Sequence, residues 1–208
     1  MKALIVVDLQ NDFMPGGALA VADGDAVVAI ANRLMPLFEQ VVATQDWHPA
    51  DHGSFAAQHR GKSPGQLIEL DGLQQVLWPT HCVQGSEGAA FHRQLDVAAI
   101  DRVFTKGEDP RVDSYSGFFD NGRRRATGLA DYLRDVGVDE VYVLGLATDY
   151  CVKFTALDAQ SLGFRTLLIA DGCRAVNLRP EDGAAAIAEM IAAGIEVVAS
   201  TQVGGGDR

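Results

Sequence analysis

Short apolar runs alternate along the chain with segments whose apolar residues recur three or four apart. Ala3-Leu4-Ile5-Val6-Val7, Val41-Val42-Ala43-Thr44, Arg102-Val103-Phe104-Thr105, Val141-Tyr142-Val143-Leu144, Thr166-Leu167-Leu168-Ile169-Ala170 and Ile195-Glu196-Val197-Val198-Ala199 have the length and composition of strands. The first is apolar at every position, as in a strand buried on both faces. Val27, Ile30, Ala31 and Leu34 mark one face of a helix that ends near Pro36. Leu129, Leu133 and Val136 mark a second, ending at Gly137, and Val152, Ala156 and Ala159 a third, starting near Thr148 or Asp149. Ala184, Ile187 and Ile191 mark a fourth, after Pro180 and closed by Gly194. Six such strands with helices between most of them predict an α/β, doubly wound fold: a six-stranded, mostly parallel sheet with helices on both faces, Rossmann-like and three-layered. Residues 46 to 101 are rich in Gly, Pro, Gln and His and read as a long irregular excursion, which in a compact domain is usually functional. Residues 203–208, ending in Gly204-Gly205-Gly206-Asp207-Arg208, read as a flexible tail.

Composition narrows the classes. A chain of 208 residues, 48% hydrophobic and 22% charged, fits one globular domain over 1–208. The net charge of -11 argues against nucleic-acid binding, which needs a basic surface, and says little about a small neutral substrate. The apolar run Ala3–Val7 is cut off by Asp8, too early for a leader or a membrane span. Cys82, Cys151 and Cys173 are widely spaced and odd in number, which suits a reducing compartment and reads as cytoplasmic.

In doubly wound sheets ligands bind beyond the carboxyl ends of the strands. Asp8, Asp46 with His48, Lys106 and Cys151 each follow a predicted strand. No G-x-G-x-x-G follows a strand and no P-loop is present, so the dinucleotide and nucleotide readings lose their main support. Singly, each residue has an ordinary explanation: a turn-capping aspartate, a solvated lysine, a buried inert cysteine. Together they offer nucleophilic chemistry. A cysteine near a helix N-terminus is favoured as the thiolate, an ammonium beside it helps, and a carboxylate can take and return the proton. The second group is Asp46-Trp47-His48 with His52 and His81. Carboxylate and imidazole suit zinc, manganese or iron(II), and three protein ligands would leave positions for water or substrate. Surface histidines in a long loop are the competing explanation.

Several longer motifs stand in one order: Asp8-Leu9-Gln10-Asn11-Asp12-Phe13, Thr44-Gln45-Asp46-Trp47-His48-Pro49, Trp78-Pro79-Thr80-His81-Cys82-Val83, Lys106-Gly107, Asp113-Ser114-Tyr115-Ser116-Gly117-Phe118, and Gly145-Leu146-Ala147-Thr148-Asp149-Tyr150-Cys151. In this combination the chain resembles the metal-containing nicotinamidase (pyrazinamidase) branch of the isochorismatase-like cysteine hydrolase superfamily. The resemblance implies a catalytic triad of Asp8, Lys106 and Cys151. It implies an oxyanion hole from the amides of Ala147 and Cys151, beside a cis Leu146–Ala147 peptide. Phe13, Trp78 and Tyr115 would line a ring pocket, and Phe118 and Phe119 would be core. Asp46, His48 and His81 would hold one divalent metal, zinc first, with manganese or iron as alternatives; Ser54 and His52 are weaker candidates. The implied reaction is hydrolysis of nicotinamide to nicotinate and ammonia through a Cys151 thioester, with pyrazinamide also accepted, in pyridine nucleotide salvage for NAD biosynthesis. The implied partner is the small-molecule substrate, with no nucleic acid, no membrane and a homo-oligomer left open. The alternatives are an amidohydrolase of the same superfamily acting on carbamoyl or ureido amides, and a non-catalytic metal-binding ligand sensor on the same fold.

Overall fold

The computed structural model describes residues 1–204; of the expected flexible tail, Val203 and Gly204 lie in a turn and 205–208 fall outside the described residues. In chain order the strands are β1 (Lys2–Val7), β2 (Gln40–Asp46), β3 (Leu67–Leu70), β4 (Leu73–Val76), β5 (Arg102–Lys106), β6 (Glu140–Leu146), β7 (Arg165–Arg174) and β8 (Glu196–Val198). The helices are α1 (Ala26–Leu34), α2 (Leu129–Asp135), α3 (Lys153–Ser161) and α4 (Asp182–Ala192).

Six strands form one sheet in the order β5-β2-β1-β6-β7-β8, and every neighbouring pair is parallel. Ala3 to Val7 are completely buried, so both faces of β1 are covered. This is what an uninterrupted apolar strand requires, since neither set of alternate side chains meets water. The chain moves outward from β1 to β2 and β5, then returns to the other side of β1 with β6. The carboxyl ends of β1, β2, β5 and β6 therefore converge around the point where the winding reverses.

The helical periodicities hold for α1, α2 and α3, whose buried residues include Val27 and Leu34, Leu129 and Leu133, and Ala156 and Ala159. In α4 the expected face is displaced. Gly183, Ala186 and Met190 are buried and Ile187 is half-buried, whereas Ala184 is exposed and Ile191 is 55% exposed. This helix is so rich in alanine that apolar spacing does not single out one stripe. Packing decides instead: a Cβ at Gly183 would lie 2.8 Å from the Cβ of Ala175, so the close approach is made by the residue with no side chain.

The excursion between β2 and β5 is also less irregular than expected. β3 and β4 pair antiparallel, with Leu70 opposite Leu73. The turn between them is Asp71-Gly72, with φ of 48° and 83°. Positive φ at both central residues is the geometry of the hairpin turn that Asp-Gly favours, so the dipeptide carried the signal.

One glycine governs how closely the central strands approach below the site. Gly145 has φ of 132°, and a Cβ there would lie 2.1 Å from the carbonyl oxygen of Val7. Gly145→Ala should push β6 away from β1 just before the residues that follow both strands. The expected loss is on the order of 3 kcal/mol, from strain at positive φ plus overpacking. It would be read as a lower urea midpoint at unchanged slope.

Candidate active site

Asp8 directly follows β1, with φ of 50°, and is wholly buried. Its Oδ1 accepts a hydrogen bond of 2.6 Å from the Thr44 hydroxyl on β2. Its Oδ2 lies 2.9 Å from the Lys106 ammonium yet accepts no aligned hydrogen bond, so a lone pair remains open. Lys106, the last residue of β5, is buried, and its Nζ is surrounded. It donates to Asp46 Oδ1 at 2.7 Å, to the carbonyl of Ser114 at 2.9 Å and to Cys151 Sγ at 3.4 Å. The structure thus gathers Asp8, Lys106 and Cys151 from three strand ends.

Cys151 does not sit in the first turn of an ordinary α-helix. Thr148–Val152 form a π-helical turn, and α3 follows from Lys153; the Leu146–Ala147 peptide is cis. Charge around the thiol also differs from the expectation of a standing thiolate. Burial pushes the Cys151 thiol well above its ordinary range; Lys106 opposes this, and Asp8 and Asp46 reinforce it. Burial raises the Asp8 carboxyl as well, against the pull of Lys106. Burial works against the Lys106 ammonium, but Asp46 and Asp8 more than offset it and hold the lysine charged. Burial and the two aspartates thus favour the neutral thiol, and Lys106 the thiolate.

Asp46 ends β2 and faces two imidazoles. His48 Nε2 lies 3.2 Å, and His81 Nε2 3.5 Å, from Asp46 Oδ2. His48 Nδ1 is 2.8 Å from the carbonyl of Gly107, and His81 Nδ1 is 2.8 Å from that of Pro79. A carbonyl only accepts, so each ring donates its Nδ1–H to the backbone and turns Nε2, the atom left for a further partner, toward Asp46. This backbone orientation of a ring is the usual support of a metal-binding histidine. The three donor atoms lie within 4.8 Å of one another and all three residues are buried, so the set fits a divalent cation that accepts nitrogen and oxygen. Burial lowers the His48 pKa, but Asp46 outweighs it and brings the ring to about 9; the charge that attracts a proton there would equally attract a cation. Gly107, at φ of 71°, makes room for the ring, since a Cβ would lie 2.4 Å from His48 Cε1.

His52 and Ser54 are not part of that trio, although the His52 ring packs on His48 with centroids 4.3 Å apart. His52 Nδ1 is 2.7 Å from Ser54 Oγ, and its Nε2 is buried without a hydrogen-bond partner. His52 groups instead with His48 and Asp113, again with donor atoms within 4.8 Å. Asp113 was not singled out from the sequence, although it opens the Asp113-Ser114-Tyr115 motif. Cys82 lies outside both groups, its amide donating to Asp12 Oδ2 at 2.7 Å.

Beside these groups is a narrow cavity of about 30 Å³. Phe13, Trp78 and Tyr115 line it, as expected, and so do Leu19, Tyr150 and Val176. Asp46, His81, Ala147 and Cys151 share its wall, so the thiol and the imidazole–carboxylate cluster open on one space. Tyr150 packs edge-on against Trp78, with centroids 4.8 Å apart, and 5.3 Å from Tyr115. The Trp78 indole N–H and the Gln75 side-chain amide both donate to the Tyr115 oxygen, at 3.2 and 3.1 Å. Gln75 belongs to β4, so the hairpin fixes one aromatic wall. Phe118 is core, as expected, and Phe119 is half-buried against it. Tyr150 was legible in principle, being the neighbour of Cys151 in a tight turn; Leu19 and Val176 carried no such mark.

A family model described as the isochorismatase domain matches residues 2–202. A nicotinamidase of Escherichia coli (strain K12) is 60% identical over 197 residues, covering 93% of this chain and 92% of its own. The solved Acinetobacter baumanii nicotinamidase and pyrazinamidase matches with a TM-score of 0.94 at 48% identity, covering 97% of each chain. The pyrazinamidase of Pyrococcus horikoshii, solved in complex with zinc, matches with a TM-score of 0.77 at 40% identity, covering 95% of this chain and 98% of that one.

If the trio binds a cation, His48→Ala and His81→Ala should each weaken metal affinity by about a hundredfold or more, a larger effect than that of losing an outer partner. Gly107→Ala, which displaces His48 without removing a ligand, should weaken it by roughly tenfold. Competition against a chelator, followed by elemental analysis, measures all three. Wild-type metal content in both histidine variants would refute the assignment.

Proposed function

The chain belongs to the isochorismatase family, and on that premise we propose that it hydrolyses nicotinamide to nicotinate and ammonia, with Cys151 as nucleophile. The observation that carries this is a buried ammonium: Lys106 Nζ lies 3.4 Å from Cys151 Sγ and 2.9 Å from Asp8 Oδ2, beside an aromatic cavity that also receives Asp46 and His81. The sequence likeness to nicotinamidases supports the choice of substrate.

The flat pyridine ring lies among Phe13, Trp78, Tyr115 and Tyr150, which exclude water from its faces. Its carboxamide carbon meets Sγ. As the S–C bond forms, the thiol proton passes to the open Oδ2 of Asp8. The amides of Ala147 and Cys151 stabilise the developing oxyanion. Asp8 then gives its proton to the amide nitrogen, the C–N bond breaks, and ammonia leaves a thioester. Asp8 next takes a proton from water as it attacks the thioester carbon; the C–S bond breaks, the proton returns to sulfur and nicotinate is released. Lys106 stays charged throughout and balances whichever of Asp8 or Cys151 carries the negative charge.

Asp46, His48 and His81 would hold one divalent cation, zinc first and manganese or iron(II) as alternatives, and the cation would supply an electrophile that orients the ring nitrogen. The zinc complex of the Pyrococcus horikoshii relative supports the metal. Ser54 and His52 are kept as weaker candidates for the same site. We read residues 1–208 as one hydrolase domain, cytoplasmic and acting in pyridine nucleotide salvage, with pyrazinamide as a second substrate and self-association left to measurement. No helix among the described residues is long and apolar enough to cross a membrane.

Purified protein should release ammonia from nicotinamide at neutral pH, measured by a coupled assay. Absence of release from folded, metal-containing protein would overturn the reading, and carbamoyl and ureido amides would be tried next. Cys151→Ala and Asp8→Asn should each lower kcat by about a thousandfold or more, as loss of a nucleophile or its proton carrier does. Cys151→Ala should still bind nicotinamide by calorimetry. Turnover near that of the wild type in Cys151→Ala would remove the nucleophile assignment.

A further inference from the structure

The turn that carries Cys151 also carries a buried carboxylate, Asp149, to which the reaction above gives no task. Its Oδ1 accepts the amide of Val176 at 2.9 Å and its Oδ2 the amide of Asn177 at 2.8 Å. Asn177 has φ of 52°, and the two successive N–H groups converge on the carboxylate as a backbone anion nest. Hydrogen bonds to an ionised acceptor are about twice as strong as neutral ones. Both oxygens are used, so the clamp needs a carboxylate rather than an amide.

The segments it joins bear on the cavity from two sides. Asp149 lies two residues before the nucleophile and next to Tyr150, and Val176 lines the same cavity from the segment after β7. Asn177 extends the link, its Oδ1 accepting the amide of Gly183 in the first turn of α4. We propose that Asp149 is a positioning residue that fixes the separation between the turn carrying Cys151 and the wall made by Val176. With that separation held, a ring seated against Val176 presents its carboxamide carbon to Sγ. The kinetic part of this proposal rests on the amidase reading; the positional part does not.

A second clamp supplies the control. Asp171, on β7 and outside the cavity lining, accepts the Ser200 amide at 2.7 Å and its hydroxyl at 2.6 Å. Asp171→Asn should lower the thermal midpoint and leave kcat, KM and the reactivity of Cys151 at wild-type values. Asp149→Asn keeps the size but turns an NH₂ toward a backbone N–H. It should lower kcat/KM for nicotinamide by about tenfold or more, the size of a lost charged hydrogen bond, divided between a higher KM and a lower kcat. It should also speed alkylation of Cys151 by iodoacetamide, followed by peptide mass mapping that separates Cys151 from Cys82 and Cys173. If Asp149→Asn only lowers the thermal midpoint, as Asp171→Asn does, with kinetics and alkylation unchanged, the proposal is overturned. Should the wild type release no ammonia, the amidase reading falls and alkylation alone decides the clamp: faster modification in Asp149→Asn supports it, and an unchanged rate refutes it.

Discussion

Everything at the centre of this molecule depends on one buried cation. The Lys106 side chain has no exposed surface, and the cost of removing an ammonium from solvent is several kcal/mol. That cost is offset only if its neighbours are anions and acceptors held in place. Here they are Asp8, Asp46, the Ser114 carbonyl and the Cys151 sulfur, supplied by the ends of β1, β2 and β6 and by the loop after β5. The parallel sheet can bring these together because its strands all point the same way and the winding reverses at β1. An antiparallel sheet of the same strands would send alternate carboxyl ends to opposite edges.

Much of the surrounding architecture keeps those neighbours still. Gln10, in the loop after Asp8, donates to the carbonyls of Asp46 and Ala89 and accepts the Asp46 amide, so it locks the end of β2 against the excursion. Asp12 accepts the Cys82 amide, next to His81. Asp113 accepts the Ser114 amide and the Gln75 side chain, which places the carbonyl that Lys106 uses. The motif residues around the reacting groups are thus largely braces. They look like chemistry in the sequence because Asp, Gln and His serve both purposes, and only their partners tell the two apart.

This is also where reading the chain alone reaches its end. Strand positions were legible because apolar runs bounded by polar residues have few alternatives, and the residues after them were legible as a candidate site because doubly wound sheets bind ligands there. The Asp46-x-His48 pair was legible from spacing, but its union with His81 came from motif resemblance, since 32 residues lie between the two histidines. The buried stripe of α4 was not legible, because an alanine-rich helix offers several equivalent faces and a close contact at Gly183 chooses among them. Nor were Leu19 and Val176: each is one apolar residue among many, and only the fold brings it to the ring cavity. The state of the Cys151 thiol was the least legible. A helix N-terminus and a lysine both argue for a thiolate, but burial and two carboxylates argue harder the other way.

Asp46 is the joint between the two halves of the site. Its Oδ1 holds Lys106 at 2.7 Å, and its Oδ2 faces His48 and His81 at 3.2 and 3.5 Å. One carboxylate plane therefore sets both the direction of the ammonium and that of the imidazole cluster. Rotating that plane to serve one oxygen better would misplace the other, and the backbone bonds of Gln10 to Asp46 oppose such a rotation at its root. The residues that would hold a cation, Asp46, His48 and His81, therefore share one carboxylate with Lys106, so the imidazole cluster and the buried ammonium form one rigid group rather than two adjacent ones.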